Sequence, residues 1–140
     1  MKFWDTSALV ALSLKKAQSA PLRHVVEEDG AIVVWWVTLV ECYSAFARLR
    51  RDNILTRAQE DQARRGVASL ATGWIEVQPS QHIRETAARI LLLHPLRAAD
   101  ALQLAAGLFW ADGRPAGQHF VSLDGRLREA AQREGFQLLP

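Results

Sequence analysis

The sequence predicts an α/β fold: a single domain over residues 1–140, with a central, mainly parallel sheet flanked by helices. Three observations lead there. Short apolar runs alternate along the chain with segments of helical periodicity, the pattern of strands joined through crossover helices. Residues 31–37 read Ala-Ile-Val-Val-Trp-Trp-Val, apolar throughout, as a central parallel strand covered on both faces must be. A chain of 140 residues, 49% hydrophobic and 23% charged, suits one packed core and leaves little room for a second domain.

The elements follow in order. Residues 2–5 form a short strand with Asp5 at its carboxyl end. One helix covers 7–14. A second has Pro21 near its first turn and runs to about Asp29, before Gly30. The strand over 31–37 leads into helices over 38–51 and 56–72, and 74–77 is a short strand. A helix over 80–93 closes at His94-Pro95, because the residue before a proline leaves the helical region. The helix over 97–110 is almost wholly apolar, hence buried. A strand over 119–123 precedes a helix over 125–134 that Gly135 caps, and 136–139 is the last strand.

Composition excludes several classes. Cys42 is the only cysteine, so neither an internal disulfide nor a cysteine-ligated zinc site can form. The longest apolar stretch, 31–40, contains Thr38 and is half the ~20 residues of a membrane helix. Asp5 breaks any signal-peptide core, so no membrane role and a cytoplasmic location are expected. Of 17 basic residues 14 are arginines, against 15 acids. The planar guanidinium matches phosphate oxygens, although a GC-rich genome produces the same bias.

Four acids share a positional habit. Asp5 and Asp124 each follow a strand, while Glu41 and Asp100 each lie in the first turn of a helix. In a parallel sheet these ends face one edge, where ligands sit. On the 38–51 helix, Leu39, Cys42, Phe46 and Leu49 form the apolar stripe, and Glu41 lies roughly opposite with Ser44, Ala45 and Arg48. On the 97–110 helix, Ala101, Leu102, Ala105, Ala106 and Phe109 are expected to pack inward. Asp100 would share the other side with Gln103, Leu104 and Gly107, whose small or polar side chains leave room for a ligand.

Each acid also has a purely structural explanation. Thr38-Leu39-Val40-Glu41 reads as a capping box, Asp5 and Asp124 as helix caps, and Asp100 as the partner of a helix dipole. Four separate caps need not converge, however. If the acids do converge, their mutual repulsion requires protons or a cation. No His is placed to join them, and an all-oxygen cluster suits Mg²⁺ or Mn²⁺, ions that serve phosphoryl chemistry.

These residues resemble a known family. Phe3-Trp4-Asp5-Thr6-Ser7-Ala8-Leu9 resembles the first motif of the PilT N-terminal (PIN) domain, and Glu41 within Thr38-Leu39-Val40-Glu41 matches the second acidic position. Leu96-Arg97-Ala98-Ala99-Asp100-Ala101-Leu102-Gln103-Leu104-Ala105 resembles the third motif. Phe120-Val121-Ser122-Leu123-Asp124, followed by Leu127, Ala130, Ala131 and Gly135, matches the fourth. The resemblance spans essentially the whole chain and is nearest to VapC-type toxins of bacterial toxin–antitoxin pairs. It implies a metal-dependent endoribonuclease hydrolysing RNA phosphodiesters, with Asp5, Glu41, Asp100 and Asp124 holding Mg²⁺ or Mn²⁺. It also implies a homodimer and a cognate antitoxin whose peptide enters a groove near the site. Thr6 or Ser7 would orient Asp5 or touch the phosphate. Ser122 supplies a hydroxyl where relatives often carry Thr, and Gln103 stands where many carry His.

Arg48 and Arg97 are candidate phosphate clamps, with salt bridges to the same acids as the alternative. Trp35 and Trp36 are expected in the core. Trp4 should point away from Asp5, and Cys42 should be an inert buried thiol. Trp74 and Trp110 lie near element ends and are expected to be structural, with exposure for stacking or dimer contact as the alternative. Three other readings stay open: a PIN nuclease of RNA processing outside a toxin pair, a catalytically inactive RNA-binding or dimerisation module, and an aspartyl phosphotransferase. Against the last, the position two residues after Asp5 is Ser7 instead of a second acid.

Overall fold

Successive side chains of a strand point to opposite faces, and here both faces are apolar. A computed structural model describes residues 1–14 and 19–140. Among the described residues there are five strands: β1 (Lys2–Trp4), β2 (Ile32–Trp35), β3 (Ile75–Val77), β4 (His119–Val121) and β5 (Gln137–Leu139). The helices are α1 (Thr6–Ser13), α2 (Ser19–Glu28), α3 (Thr38–Arg51), α4 (Arg57–Ala71), α5 (Gln81–Leu93), α6 (Ala98–Trp110) and α7 (Gly125–Glu134). Phe3, Val33, Trp35, Val77 and Phe120 pack on one face of the sheet with residues of α5, α6 and α7. Trp4, Ile32, Val34 and Val121 pack on the other with residues of α1 to α4. Each large side chain buried in these layers contributes about 1.5–3 kcal/mol.

All the strand pairs are parallel, in the order β3-β2-β1-β4-β5. The chain therefore builds outward from β1 first to one side and then to the other. At such a reversal the connections leave in opposite directions and open a crevice beyond the carboxyl ends of the two central strands. Those strands are β1 and β4, in register at Phe3–Phe120 and Trp4–Val121. The Asp5 N–H continues the ladder by donating to the Val121 carbonyl over 2.9 Å.

Local chemistry explains most element ends. Asp5, Thr56, Ser80 and Asp124 each cap a helix by accepting a backbone N–H. Gly135 ends α7 with φ 108°, a left-handed conformation that glycine adopts without a Cβ penalty. Among the described residues no helix is long and apolar enough to cross a membrane.

Three expectations need correction. The apolar run 31–37 is strand only to Trp35. Trp36 lies in a turn, 51% exposed, because the chain bends there toward α3. The 38–41 segment is not a capping box: Val37 occupies the cap position with no side-chain bond, and Thr38 is already helical. On α6, Phe109 is exposed, while Leu104 and Gly107 are buried. A Cβ on Gly107 would lie 3.0 Å from the Phe120 ring, so its small size admits that ring and not a ligand. By contrast, Trp74 and Trp110 take the structural place expected of them, half-buried against the two core layers, and the Trp74 indole donates to Glu76 over 3.1 Å.

Candidate functional site

A cleft of about 540 Å³ opens at the reversal crevice, and Asp5, Glu41, Asp100 and Asp124 all line it. Each acid arrives on a different element. Asp5 ends β1 and caps α1. Glu41 is in the first turn of α3, and Asp100 in that of α6. Asp124 follows β4 and caps α7. The caps expected at Asp5 and Asp124 are real, so cap and cleft lining coincide in the same side chains.

Three of the acids are tied through one oxygen. Asp5 Oδ2 accepts from Ser7 Oγ at 2.5 Å, from Ser122 Oγ at 2.9 Å and from the Ser7 N–H at 3.2 Å. Glu41 Oε2 accepts from Thr6 Oγ1 at 2.6 Å and from Gln103 Nε2 at 2.5 Å. Asp124 Oδ1 accepts the Leu127 N–H at 2.8 Å. Every donor is neutral. Among the described residues, the second oxygen of each of these carboxylates has no hydrogen-bonded protein partner.

The site's electrostatics follow from burial and like charge. Burial pushes the Asp5 carboxyl up to about 6; hydrogen bonds from Ser7 and Ser122 oppose this, and the Glu41 charge adds to it. Asp100 is also raised, by burial first and the Asp124 charge second, against the backbone and charge of Arg97 and the charge of Arg126. Burial, reinforced by Glu41 and Asp5, raises the Cys42 thiol to about 12, so it stays protonated and inert.

The donor set is all oxygen, and among the described residues no basic side chain is hydrogen-bonded to Asp5, Glu41 or Asp124. Among the described residues no three His, Cys, Asp or Glu side chains are already gathered as a group that could hold an ion. The acids instead interact as two pairs, Asp5 with Glu41 and Asp100 with Asp124. Two raised carboxyls and untied oxygens on three acids in one cleft fit a hard divalent cation, which would neutralise the pairs.

Of the remaining candidates, Ser7 bonds Asp5, but Thr6 bonds Glu41 instead. Ser122 is fully buried and bridges Asp5 to the backbone of Asp124. Arg48 lines the cleft and is exposed, and its side chain makes no ion pair or hydrogen bond among the described residues. Arg97 caps α6 outside the cleft lining and acts on Asp100 only through its charge and backbone. Gln103 carries more of the site than the sequence suggested. Its signals were its place on the Asp100 face as a polar side chain within the apolar part of α6, and its standing where many members of the resembled family carry His.

Fold and site together define a class: parallel α/β domains with an acid-lined cleft where the strand order reverses. Within it, the chain belongs to the PIN domain family, whose model matches residues 2–132. No curated protein matches the chain in sequence.

Solved structures share its shape. VapC20 from Mycobacterium tuberculosis, described as a Sarcin-Ricin loop cleaving toxin, is 19% identical with a TM-score of 0.67, covering 93% of this chain and 95% of that one. VapBC2 from Rickettsia felis, solved with a fragment of its promoter DNA, is 8% identical with a TM-score of 0.68, covering 99% and 98%. A toxin–antitoxin complex from Klebsiella pneumoniae is 19% identical with a TM-score of 0.55, covering 89% and 87%. At these identities the likeness is one of fold.

Proposed function

We propose that this PIN domain is an endoribonuclease that hydrolyses RNA phosphodiesters with Mg²⁺ or Mn²⁺ and acts as the toxin of a toxin–antitoxin pair. The observation that carries this reading is the convergence of Asp5, Glu41, Asp100 and Asp124, from four separate elements, on one cleft. Convergence of four acids has no value for a fold held by caps alone, since each raises the desolvation and repulsion the others feel. Similarity in shape to a cleaving toxin and to toxin–antitoxin complexes supports the biological half of the proposal. A cognate antitoxin and a homodimer belong to the same reading, as does a cytoplasmic setting. A monomeric mass in light scattering at high concentration would count against the dimer.

The chemistry divides among the side chains. Asp5, Glu41, Asp100 and Asp124 would hold the ion. When bound, it supplies Lewis-acid polarisation of the phosphate and a more acidic water. Ser7 and Ser122 orient Asp5, and Thr6 and Gln103 orient Glu41. Arg48, which lines the cleft with no ion pair among the described residues, offers its guanidinium to a phosphate oxygen. Hydrolysis then joins a water oxygen to phosphorus and breaks one bond from phosphorus to a ribose oxygen.

RNA cleavage by the purified protein tests this. Activity is expected with Mg²⁺ or Mn²⁺ and none with EDTA. Asp5→Asn or Asp100→Asn should lower the rate at least about a hundredfold, beyond the usual effect of an outer-shell change, with the fold retained. Undiminished cleavage by the double Asn variant would refute the reading.

A further inference from the structure

We propose that Gln103 and Thr6 form a neutral clamp on Oε2 of Glu41, which leaves Oε1 as the oxygen Glu41 offers to a divalent cation. The inference rests on the metal-dependent reading above. Gln103 is 2% exposed, and its amide nitrogen lies 2.5 Å from Glu41 Oε2, 2.9 Å from Thr6 Oγ1 and 3.1 Å from Thr38 Oγ1. The Thr6 hydroxyl donates to the same Glu41 oxygen over 2.6 Å. α1, α3 and α6 thus meet at one carboxylate oxygen.

The amide has only one sensible orientation. Turned over, its carbonyl would face Glu41 Oε2 at 2.5 Å, two acceptors in contact. In the observed orientation, Gln103 Oε1 is buried with no partner among the described residues. A buried carbonyl without a donor is unfavourable, and an apolar side chain of similar volume would avoid it. Packing of α6 therefore does not explain the residue, whereas donation to Glu41 does. Neutrality matters as well. An arginine or lysine there would orient Glu41 but would also cancel the charge a cation needs. An amide and a hydroxyl fix the carboxylate and leave its charge intact, as outer partners of ligating carboxylates do. Gln103 and Thr6 are thus positioning residues, acting through Glu41.

The test is a calorimetric titration of the full chain with Mn²⁺ alone, without RNA. The variants are Gln103→Met, Glu41→Gln, the double variant and Asp5→Asn. Gln103→Met should fold and weaken Mn²⁺ binding about tenfold or more. On the Glu41→Gln background the same change should alter the Kd less than about twofold, because residues that act as a unit are not additive. Wild-type affinity in Gln103→Met, or a full additional loss in the double variant, overturns the clamp. Should Gln103→Met fail to fold, Thr6→Val removes the other donor and runs the same cycle with the same outcomes. If the wild type binds Mn²⁺, Asp5→Asn does not, and Gln103→Met binds normally, the clamp alone fails. If the wild type takes up no Mn²⁺, the metal reading falls and the clamp with it.

Discussion

The hydroxyl of Ser122, at the end of β4, donates to Oδ2 of Asp5, at the end of β1, over 2.9 Å. The same hydroxyl oxygen accepts the Asp124 N–H at 3.1 Å, so one buried side chain couples two acids from different strands. Arg128 fixes the position from behind, donating to the Ser122 carbonyl over 2.6 Å and to the Leu139 carbonyl over 3.0 Å. Ser122→Ala removes a donor to a buried carboxylate, a loss of about 1.5–3 kcal/mol for a bond to a charged group. It should lower the melting temperature and reduce RNA cleavage, with both read on the same preparation. A variant as stable and as active as the wild type would show that the bridge is incidental.

Asp5 makes metal-free stability depend on pH. Its folded-state carboxyl titrates at about 6, above the ordinary value of 3.8, so folding favours the protonated form. The stabilisation is fully present below about pH 4 and is lost as pH rises through about 6, with no further change above. The full effect is on the order of 2–3 kcal/mol. Thermal melts in EDTA should show this decline, and Asp5→Asn should flatten it. Mn²⁺ should raise the melting temperature more at pH 7.5 than at pH 5, since a ligand bound only by the folded state stabilises it. An unchanged pH profile in Asp5→Asn would contradict the assignment.

Arg48 lines the cleft with no ion pair to break among the described residues, so removing it should affect substrate and not fold. Arg48→Ala is expected to raise KM for RNA severalfold with little change in kcat. It should also reduce the slope of log binding against log salt by about 0.7, as for one lost contact to single-stranded phosphate. Stability should stay within about 0.5 kcal/mol. A pure kcat loss would place Arg48 elsewhere in the mechanism.

Gly107 tests the close approach of α6 to the sheet. An added Cβ would meet Phe120 at 3.0 and 3.3 Å and Phe3 at 3.4 Å. Phe120 is fully buried between Phe3 and Phe136, with ring centroids 5.2 and 5.3 Å away, so giving way to the Cβ would require the aromatic layer to shift. Alanine's better helix propensity, about 1 kcal/mol, works the other way. Overpacking costs about 1–3 kcal/mol, so Gly107→Ala should lower the melting temperature with no change in Mn²⁺ affinity. A stabilised variant would mean that the aromatic layer yields.

Where an element's end depends on neighbours in sequence, it was legible. The α3 and α7 bounds could be read residue by residue, because Gly135, Asp124 and the apolar spacing act within a turn. Misreadings arose where the deciding contact is distant. Trp36 has the same apolar character as Trp35, and nothing local says the strand stops between them. Thr38-Leu39-Val40-Glu41 satisfies a capping-box pattern. Yet Thr38 faces Gln103, 65 positions away, and Glu41 bonds Thr6, 35 positions away.

The sequence by itself determined the order of strands and helices and the placing of an acid beside two strand ends and in the first turn of two helices. These are properties of hydrophobic period and local capping, which act over a few residues. Only the tertiary structure decided that those acids share one cleft, that Glu41 is held by Thr6 and Gln103, and which carboxylate oxygens have no partner among the described residues. Those facts depend on ångström distances between residues far apart in the chain, and packing of the two core layers across the sheet sets such distances.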